Sequence, residues 1–219
     1  MHSHTDPWRR VLGFERLSLC DWPGRVSCVL FMGGCNLRCP TCHNAQLAWN
    51  PEELLPVSPS AIKKHIRSRL QWLEGIVITG GEPTLFPDFL TLLQELAPAG
   101  LPIKLDTNGM NPEPVETALD LGLDLTLAVD VKGPWEKYPL LTGGTVQAED
   151  ARLRLEHLFK LARKRPHRFY FRCTQVPQLT ASDIDCVQEY LPEPFDLHLQ
   201  EYRPPNPPES RSAHATANP

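Results

Sequence analysis

Three cysteines, Cys35, Cys39 and Cys42, fall within eight residues in the pattern C-x3-C-x2-C. Three thiolates on so short a loop can hold three corners of a cubic iron-sulfur cluster and leave the fourth iron open to a small ligand. Other chemistries account for the spacing less well. A structural zinc site wants four ligands, the sequence has no second C-x2-C pair, and His43 adjoins Cys42, where it is awkwardly placed to coordinate beside it. A thioredoxin-type pair of Cys39 and Cys42 leaves Cys35 unexplained and lacks the usual following helix signal. Cys20, Cys28, Cys173 and Cys186 are scattered singly and read as small buried hydrophobes.

Further polar groups recur at one kind of place, immediately after an apolar run. Val26 to Met32 reads as a buried strand ending at Gly33-Gly34, with the cysteine loop directly behind it. Ile76 to Thr79 stops at Gly80-Gly81-Glu82-Pro83, Ile103 to Asp106 stops at Thr107-Asn108-Gly109, and Leu125 to Asp130 leads to Lys132. Runs over 168–174, which include Arg172, and over 195–200, followed by Arg203, complete six strands. Between them, Ser58-Pro59 reads as an N-cap with proline at the first helical position, and Ile62, Ile66, Leu70 and Leu73 mark one apolar face of a helix running to Leu73. Helical spacing also predicts helices over 89–96, 113–121, 149–164 and 181–191, with a loop containing Pro134, Pro139, Gly143 and Gly144 before the fourth of these five.

Strands alternating with helices every 25 to 35 residues or so argue for parallel β-α units. Six strands predict an α/β fold, a partial (β/α)6 barrel or open sheet, because a closed barrel takes eight. In such architectures the carboxyl ends of the strands converge on the face where loops build an active site. Each group also has a plain reading. Gly80-Gly81 makes a tight turn or admits a ligand to the backbone; Asp106 and Asp130 are N-caps or solvated carboxylates; Lys132 is a surface lysine. Their shared position at strand ends is what singles them out.

With 219 residues, 41% hydrophobic and 22% charged, the chain reads as one large domain over 1–203, opening with an irregular N-terminus over 1–12. The proline-rich tail over 204–219 is nearly devoid of apolar residues and is expected to be disordered. A net charge of −4 gives no reason to expect nucleic acid. No apolar run follows Trp8-Arg9-Arg10 as a signal peptide would require, and no segment approaches membrane-spanning length, so a cytoplasmic protein without a membrane partner is expected. The odd number of cysteines, seven, and their clustering point to metal or redox chemistry rather than a disulfide framework.

From Gly13 to Pro204 the residues resemble the radical S-adenosylmethionine superfamily. The stretches Gly13-Phe14-Glu15-Arg16-Leu17-Ser18, Asp21-Trp22-Pro23-Gly24, Cys39-Pro40-Thr41-Cys42-His43-Asn44, Thr79-Gly80-Gly81-Glu82-Pro83-Thr84, Lys104-Leu105-Asp106-Thr107-Asn108-Gly109 and Leu199-Gln200-Glu201-Tyr202-Arg203-Pro204 are most similar to those of activating proteins for anaerobic ribonucleoside-triphosphate reductase, a glycyl-radical enzyme. The resemblance implies a 4Fe-4S cluster on Cys35, Cys39 and Cys42, with S-adenosylmethionine (SAM) on the open iron. It implies reductive cleavage of SAM to a 5'-deoxyadenosyl radical that abstracts a hydrogen from a glycine of the partner. By position, Gly80, Gly81 and Glu82 would lie along the methionine amino group and Lys132 would pair with its carboxylate. Thr41, Thr107, Asn108, Asp130 and Arg203 complete the implied SAM contacts. Asp106, Thr107 and Asp130 match a monovalent-cation site of related formate-lyase activases. The residue before the third cysteine is usually aromatic and packs near the adenine; here it is Thr41. No added cysteine-rich segment is present for auxiliary clusters, which implies an external reductant, a flavodoxin or ferredoxin. The alternatives are an activase of another glycyl-radical enzyme, of the pyruvate formate-lyase type, or a small-molecule radical enzyme such as 7-carboxy-7-deazaguanine synthase.

Overall fold

The computed structural model of the chain describes residues 6–204. The expected tail, apart from Pro204 itself, lies outside them, as does the start of the N-terminal segment. Seven strands form one sheet in the order β1 to β7: β1 (Val11–Ser18), β2 (Ser27–Met32), β3 (Gly75–Gly80), β4 (Ile103–Thr107), β5 (Leu125–Asp130), β6 (Phe169–Gln175) and β7 (Leu197–Glu201). The six strands from β2 onward are parallel, each added beside its predecessor, and they coincide with the six read from the sequence. β1 pairs antiparallel with β2 at one edge, and β7 is the other edge, so the sheet does not close.

Within the described residues, the one-turn 3-10 helix Pro7–Arg10 and the start of β1 take the place of the irregular segment expected up to residue 12. The strand was hidden because its middle, Glu15-Arg16-Leu17, is exposed and charged rather than alternating. Gly13 pairs with Phe31 of β2, where a Cβ would lie 3.1 Å from that of Phe31, a tight but not impossible contact. The helices are α1 (Ala45–Trp49), α2 (Pro59–Ser68), α3 (Phe89–Leu96), α4 (Pro112–Asp120), α5 (Tyr138–Leu141), α6 (Ala148–Lys164) and α7 (Ala181–Tyr190). The hydroxyl of Ser58 caps α2 by accepting from the Ala61 amide. α2 ends five residues before the expected Leu73, because the chain turns at Arg69, leaving Leu70 exposed while Leu73 re-enters the core. The short α5 lies in the segment read as a loop around Pro139, and α1 lies in a stretch given no element from the sequence; each is too short to give a periodic signal. Among the described residues no helix is long and apolar enough to cross a membrane.

The two faces of the sheet have different chemistry, and the strand period of two sorts them. Leu30, Ile78, Leu105, Leu127 and Phe171 point to the helices and form the main core with α2, α3 and α6. On the concave face, Val29 and Val77 pack beneath Trp22, which stoppers the end of the half-barrel where the strands begin. The Trp22 ring lies so close to Gly75 that a Cβ there would be 2.6 Å from it. Farther along the same face the residues are charged: Lys104 and Asp106 on β4, Asp130 on β5 and Arg172 on β6. The backbone carbonyl of Asp21, beside Trp22, accepts from the buried Lys104 ammonium at 2.7 Å. The stopper and the charged row are thus joined.

Cys28 and Cys173 are buried as expected, and burial pushes their thiols up to about 12 and about 11. Cys20 is exposed instead, on the loop between β1 and β2, and the half-buried Cys186 thiol donates to the Tyr190 hydroxyl at 3.0 Å.

Truncating Trp22 to Ala opens the end of the half-barrel and costs about 3 kcal/mol, the range for a buried aromatic. In urea titrations the midpoint falls at constant m-value; an unmoved midpoint would show that the loop does not seal the sheet.

Candidate active site

The carboxyl ends of β2 to β7 surround one cavity of about 320 Å³. Its walls include Cys35, Cys39, Thr41 and Cys42 from the loop after β2, Gly80 and Gly81 after β3, and Asp106, Thr107 and Asn108 from β4 and its loop. Asp130, Lys132 and Arg172 complete the set from β5 and β6. Residues more than 130 positions apart in the chain are therefore brought together, as expected from their strand-end positions.

The cysteine loop is held from several sides. Gly34 N–H donates to the Leu47 carbonyl at 2.9 Å, Arg38 N–H donates to the Thr142 carbonyl at 3.1 Å, and Cys42 N–H closes a turn on Cys39 O at 3.0 Å. The Leu37 N–H points at the Cys35 sulfur, 3.4 Å away, and the Asn108 amide lies 3.8 Å from it. Donors aimed at sulfur suit a thiolate ligand. Burial raises all three thiols above their ordinary range, Cys35 to about 11. Among the described residues no three His, Cys, Asp or Glu side chains converge as ligands of one metal ion. Cys35, Cys39 and Cys42 nevertheless all line the one cavity, where three thiolates could serve as the protein ligands of a cluster.

The glycines after β3 answer both readings of them. A Cβ on Gly81 would fall 1.9 Å from the Gly34 carbonyl oxygen, and one on Gly80 (φ +113°) would fall 2.6 Å from Met32 backbone atoms. Gly81 N–H donates to Met32 O and Glu82 N–H to Gly34 O, both at 2.8 Å. Close approach of two chain segments thus demands glycine here, and the same bare backbone forms the cavity wall. Asn44, absent from the sequence-based set, donates to Gly80 O at 3.1 Å and lines the cavity.

Glu82 departs from expectation. It is fully buried and does not line the cavity. Its carboxylate accepts from Thr84 N–H (3.2 Å), Thr84 Oγ1 (2.5 Å), Thr107 Oγ1 (2.8 Å) and Asn108 N–H (2.7 Å). Burial pushes its pKa up while these four bonds pull it down. Glu82 is a brace behind the wall; the groups it holds are the ones that face inward.

The charged row runs along the cavity floor. Lys104 pairs with Asp106 at 2.5 Å, Arg172 with Asp106 at 3.4 Å and with Asp130 at 2.8 Å, and Lys132 with Asp130 at 3.0 Å. Burial alone would raise the Asp130 carboxyl, but Arg172 and then Lys132 outweigh it and hold it at about 2. Lys132 is oriented by its own N–H, which donates to the Tyr138 hydroxyl of α5 at 3.0 Å. Lys104 escaped the sequence-based set although a lysine inside an apolar strand, two residues before Asp106, is a signal of a shared buried pair. Arg203 does not reach the cavity. Its exposed side chain turns to Glu201, while its carbonyl accepts from the His43 ring. Tyr202 stacks on that ring at 5.6 Å, and His43 itself lines the cavity beside Thr41.

A family model described as the Radical SAM superfamily matches residues 29–188. The chain belongs to the radical SAM superfamily. A protein of Methanocaldococcus jannaschii, assigned by inference as a glycyl-radical enzyme activating enzyme, is 30% identical over 209 residues, 88% of this chain and 84% of that protein. A 7-carboxy-7-deazaguanine synthase of Hyperthermus butylicus is 38% identical over 92 residues, 42% of this chain and 38% of its own length. Among solved structures, anSMEcpe with bound AdoMet superposes with a TM-score of 0.58 at 20% identity, over 79% of this chain and 50% of that one, a likeness of fold. Membership implies a 4Fe-4S cluster and SAM, and the observed donor set fits both: three thiols on one cavity, donors directed at the Cys35 sulfur, a bare backbone wall and a lysine on that wall.

Replacing Glu82 with Gln puts an amide N–H₂ against at least one of the donors it now accepts from. The cluster-free chain should lose about 1 to 3 kcal/mol in denaturant titrations. Unchanged stability would show that the carboxylate does not brace the loops.

Proposed function

We propose that this chain is a glycyl-radical-enzyme activase serving an anaerobic ribonucleoside-triphosphate reductase, with a flavodoxin or ferredoxin as electron donor. The observation that carries the activase reading is the 84% coverage of the M. jannaschii relative at 30% identity, set beside a cavity that opens at a free sheet edge. The cavity wall extends to Gln200 on β7, whose residues from His198 to Glu201 are exposed. A backbone loop of a large partner can approach from that side.

In this reading Cys35, Cys39 and Cys42 hold the 4Fe-4S cluster. Gly80 and Gly81 offer backbone to the methionine moiety of SAM, Lys132 neutralises its carboxylate as a point charge, and Thr41, Thr107 and Asn108 complete the wall. When bound, the cluster and SAM supply reductive cleavage to a 5'-deoxyadenosyl radical able to abstract hydrogen from glycine. The protein's part is to orient the cofactor and to keep water away from the floor, which Trp22 and the charged row do by closing the half-barrel from below. A second reading, a 7-carboxy-7-deazaguanine synthase, is favoured by the 38% identity over the shared 92 residues.

Anaerobic reconstitution followed by dithionite and SAM should yield 5'-deoxyadenosine, and a glycyl radical signal in paramagnetic resonance should appear only when the reductase is added. Product without any protein radical would favour the small-molecule reading. Cys39→Ala should abolish the cluster's visible absorbance; survival of that absorbance would overturn the ligand assignment.

A further inference from the structure

Every group at the positions matching a monovalent-cation site is already engaged by the chain. Asp106 accepts from Lys104 and Arg172, and Asp130 accepts from Arg172 and Lys132. The Thr107 hydroxyl donates to Glu82 at 2.8 Å and accepts from Gly109 N–H at 3.1 Å. We propose that the Arg172 guanidinium is the resident cation of this cavity, seated between Asp106 and Asp130 where a metal ion would otherwise bridge them, so that the chain holds its cofactor without potassium or sodium. The cofactor part of this inference rests on the reading of the cavity as a SAM site.

Three geometric facts support it. Arg172 is the register partner of Asp130 on the neighbouring strand, and its Nε and Nη2 both reach Oδ1 of Asp130, at 2.9 and 2.8 Å, while Oδ2 accepts from Lys132 at 3.0 Å. Its Nη1 then extends across β5 to Asp106 on β4 at 3.4 Å. The β5 residue in register with Asp106 is Ala128, which carries only a methyl and leaves room for that crossing. The charge balance agrees: two carboxylates face three cations, Lys104, Lys132 and Arg172. An added metal ion would meet positive charge already in excess. The surplus falls at Lys132, on the cavity wall, where it suits the carboxylate of an amino-acid ligand. A covalently tethered guanidinium is also present at any salt concentration and loses no translational freedom on arrival.

The test compares thermal unfolding of the anaerobically reconstituted protein in potassium, sodium and tetramethylammonium chlorides at equal ionic strength. The wild-type midpoint should be the same in all three. Arg172→Leu should lower it by roughly 5 to 10 °C in tetramethylammonium and regain part of the loss in potassium or sodium, as the bared carboxylates acquire a metal ion. Arg172→Lys should restore independence of the salt. Should Arg172→Leu fail to fold, Arg172→Gln, neutral and polar though shorter than arginine, takes its place. A wild-type midpoint that rises with potassium or sodium, a neutral variant indifferent to the cation, or an Arg172→Lys variant that still needs the ion would each overturn the inference. 5'-Deoxyadenosine formation in the same salts separates the two readings: equal yields support both, and yield only with potassium or sodium refutes the role of Arg172. Absence of product in every salt sinks the SAM reading while the midpoints still judge Arg172.

Discussion

The Glu82 carboxylate is the constraint on which the cavity depends. It has no contact with solvent, and its burial is tolerable only because two amides and two hydroxyls satisfy it. Those donors come from the ends of β3 and β4, so one side chain fixes two loops at once. The Glu82 N–H adds a third by donating to Gly34, at the start of the cysteine loop. Asn108, held by Glu82 through its backbone, turns its amide to Asn36 at 2.8 Å and toward the Cys35 sulfur. The line from a buried carboxylate to the Cys35 thiol is continuous, which is how a glutamate that never sees the cavity shapes its wall.

A second constraint is the division of labour between the faces of the sheet. The helix side carries the main apolar core, so the concave side is free to bury charge. Burying the Lys104 ammonium there is costly unless paired, and Asp106 together with the Asp21 carbonyl supplies the pairing. The same row of alternating charges leaves Lys132 on the wall facing the cavity. The ion pairs that stabilise the fold thus also line the cavity, and the antiparallel β1 with its Trp22-bearing loop closes the end that the incomplete barrel leaves open.

Much of this was legible in the sequence, for identifiable reasons. Parallel strands buried on the helix side leave short β-branched runs such as Ile76-Val77-Ile78, and each ends at glycine or a polar turn, so six strands and their convergent ends could be placed from pattern alone. The cysteine spacing marked three thiols as a group, and all three do line one cavity. β1 escaped because an edge strand has no need of alternation, and α1 and α5 escaped because one turn of helix has no period. Glu82 and Arg172 show the deeper limit. Their types and strand-end positions marked them as belonging to the site, but whether a carboxylate faces the cavity or braces its wall, and whether an arginine bridges two carboxylates, depends on cross-strand register and side-chain direction. Arg203 was misplaced for the same reason, since a residue two positions past an edge strand is free to turn outward.

The account holds that the radical generated in this cavity takes its hydrogen from a glycine of a protein partner, and isotope transfer tests that most directly. The reductase would be prepared with glycine deuterated at its α-carbon and mixed with the reduced, reconstituted protein and SAM, and the 5'-deoxyadenosine would be analysed by mass spectrometry. The account predicts that the 5'-deoxyadenosine carries deuterium and that a glycyl radical accompanies it. Unlabelled 5'-deoxyadenosine, formed at the same rate with and without the reductase, would contradict it.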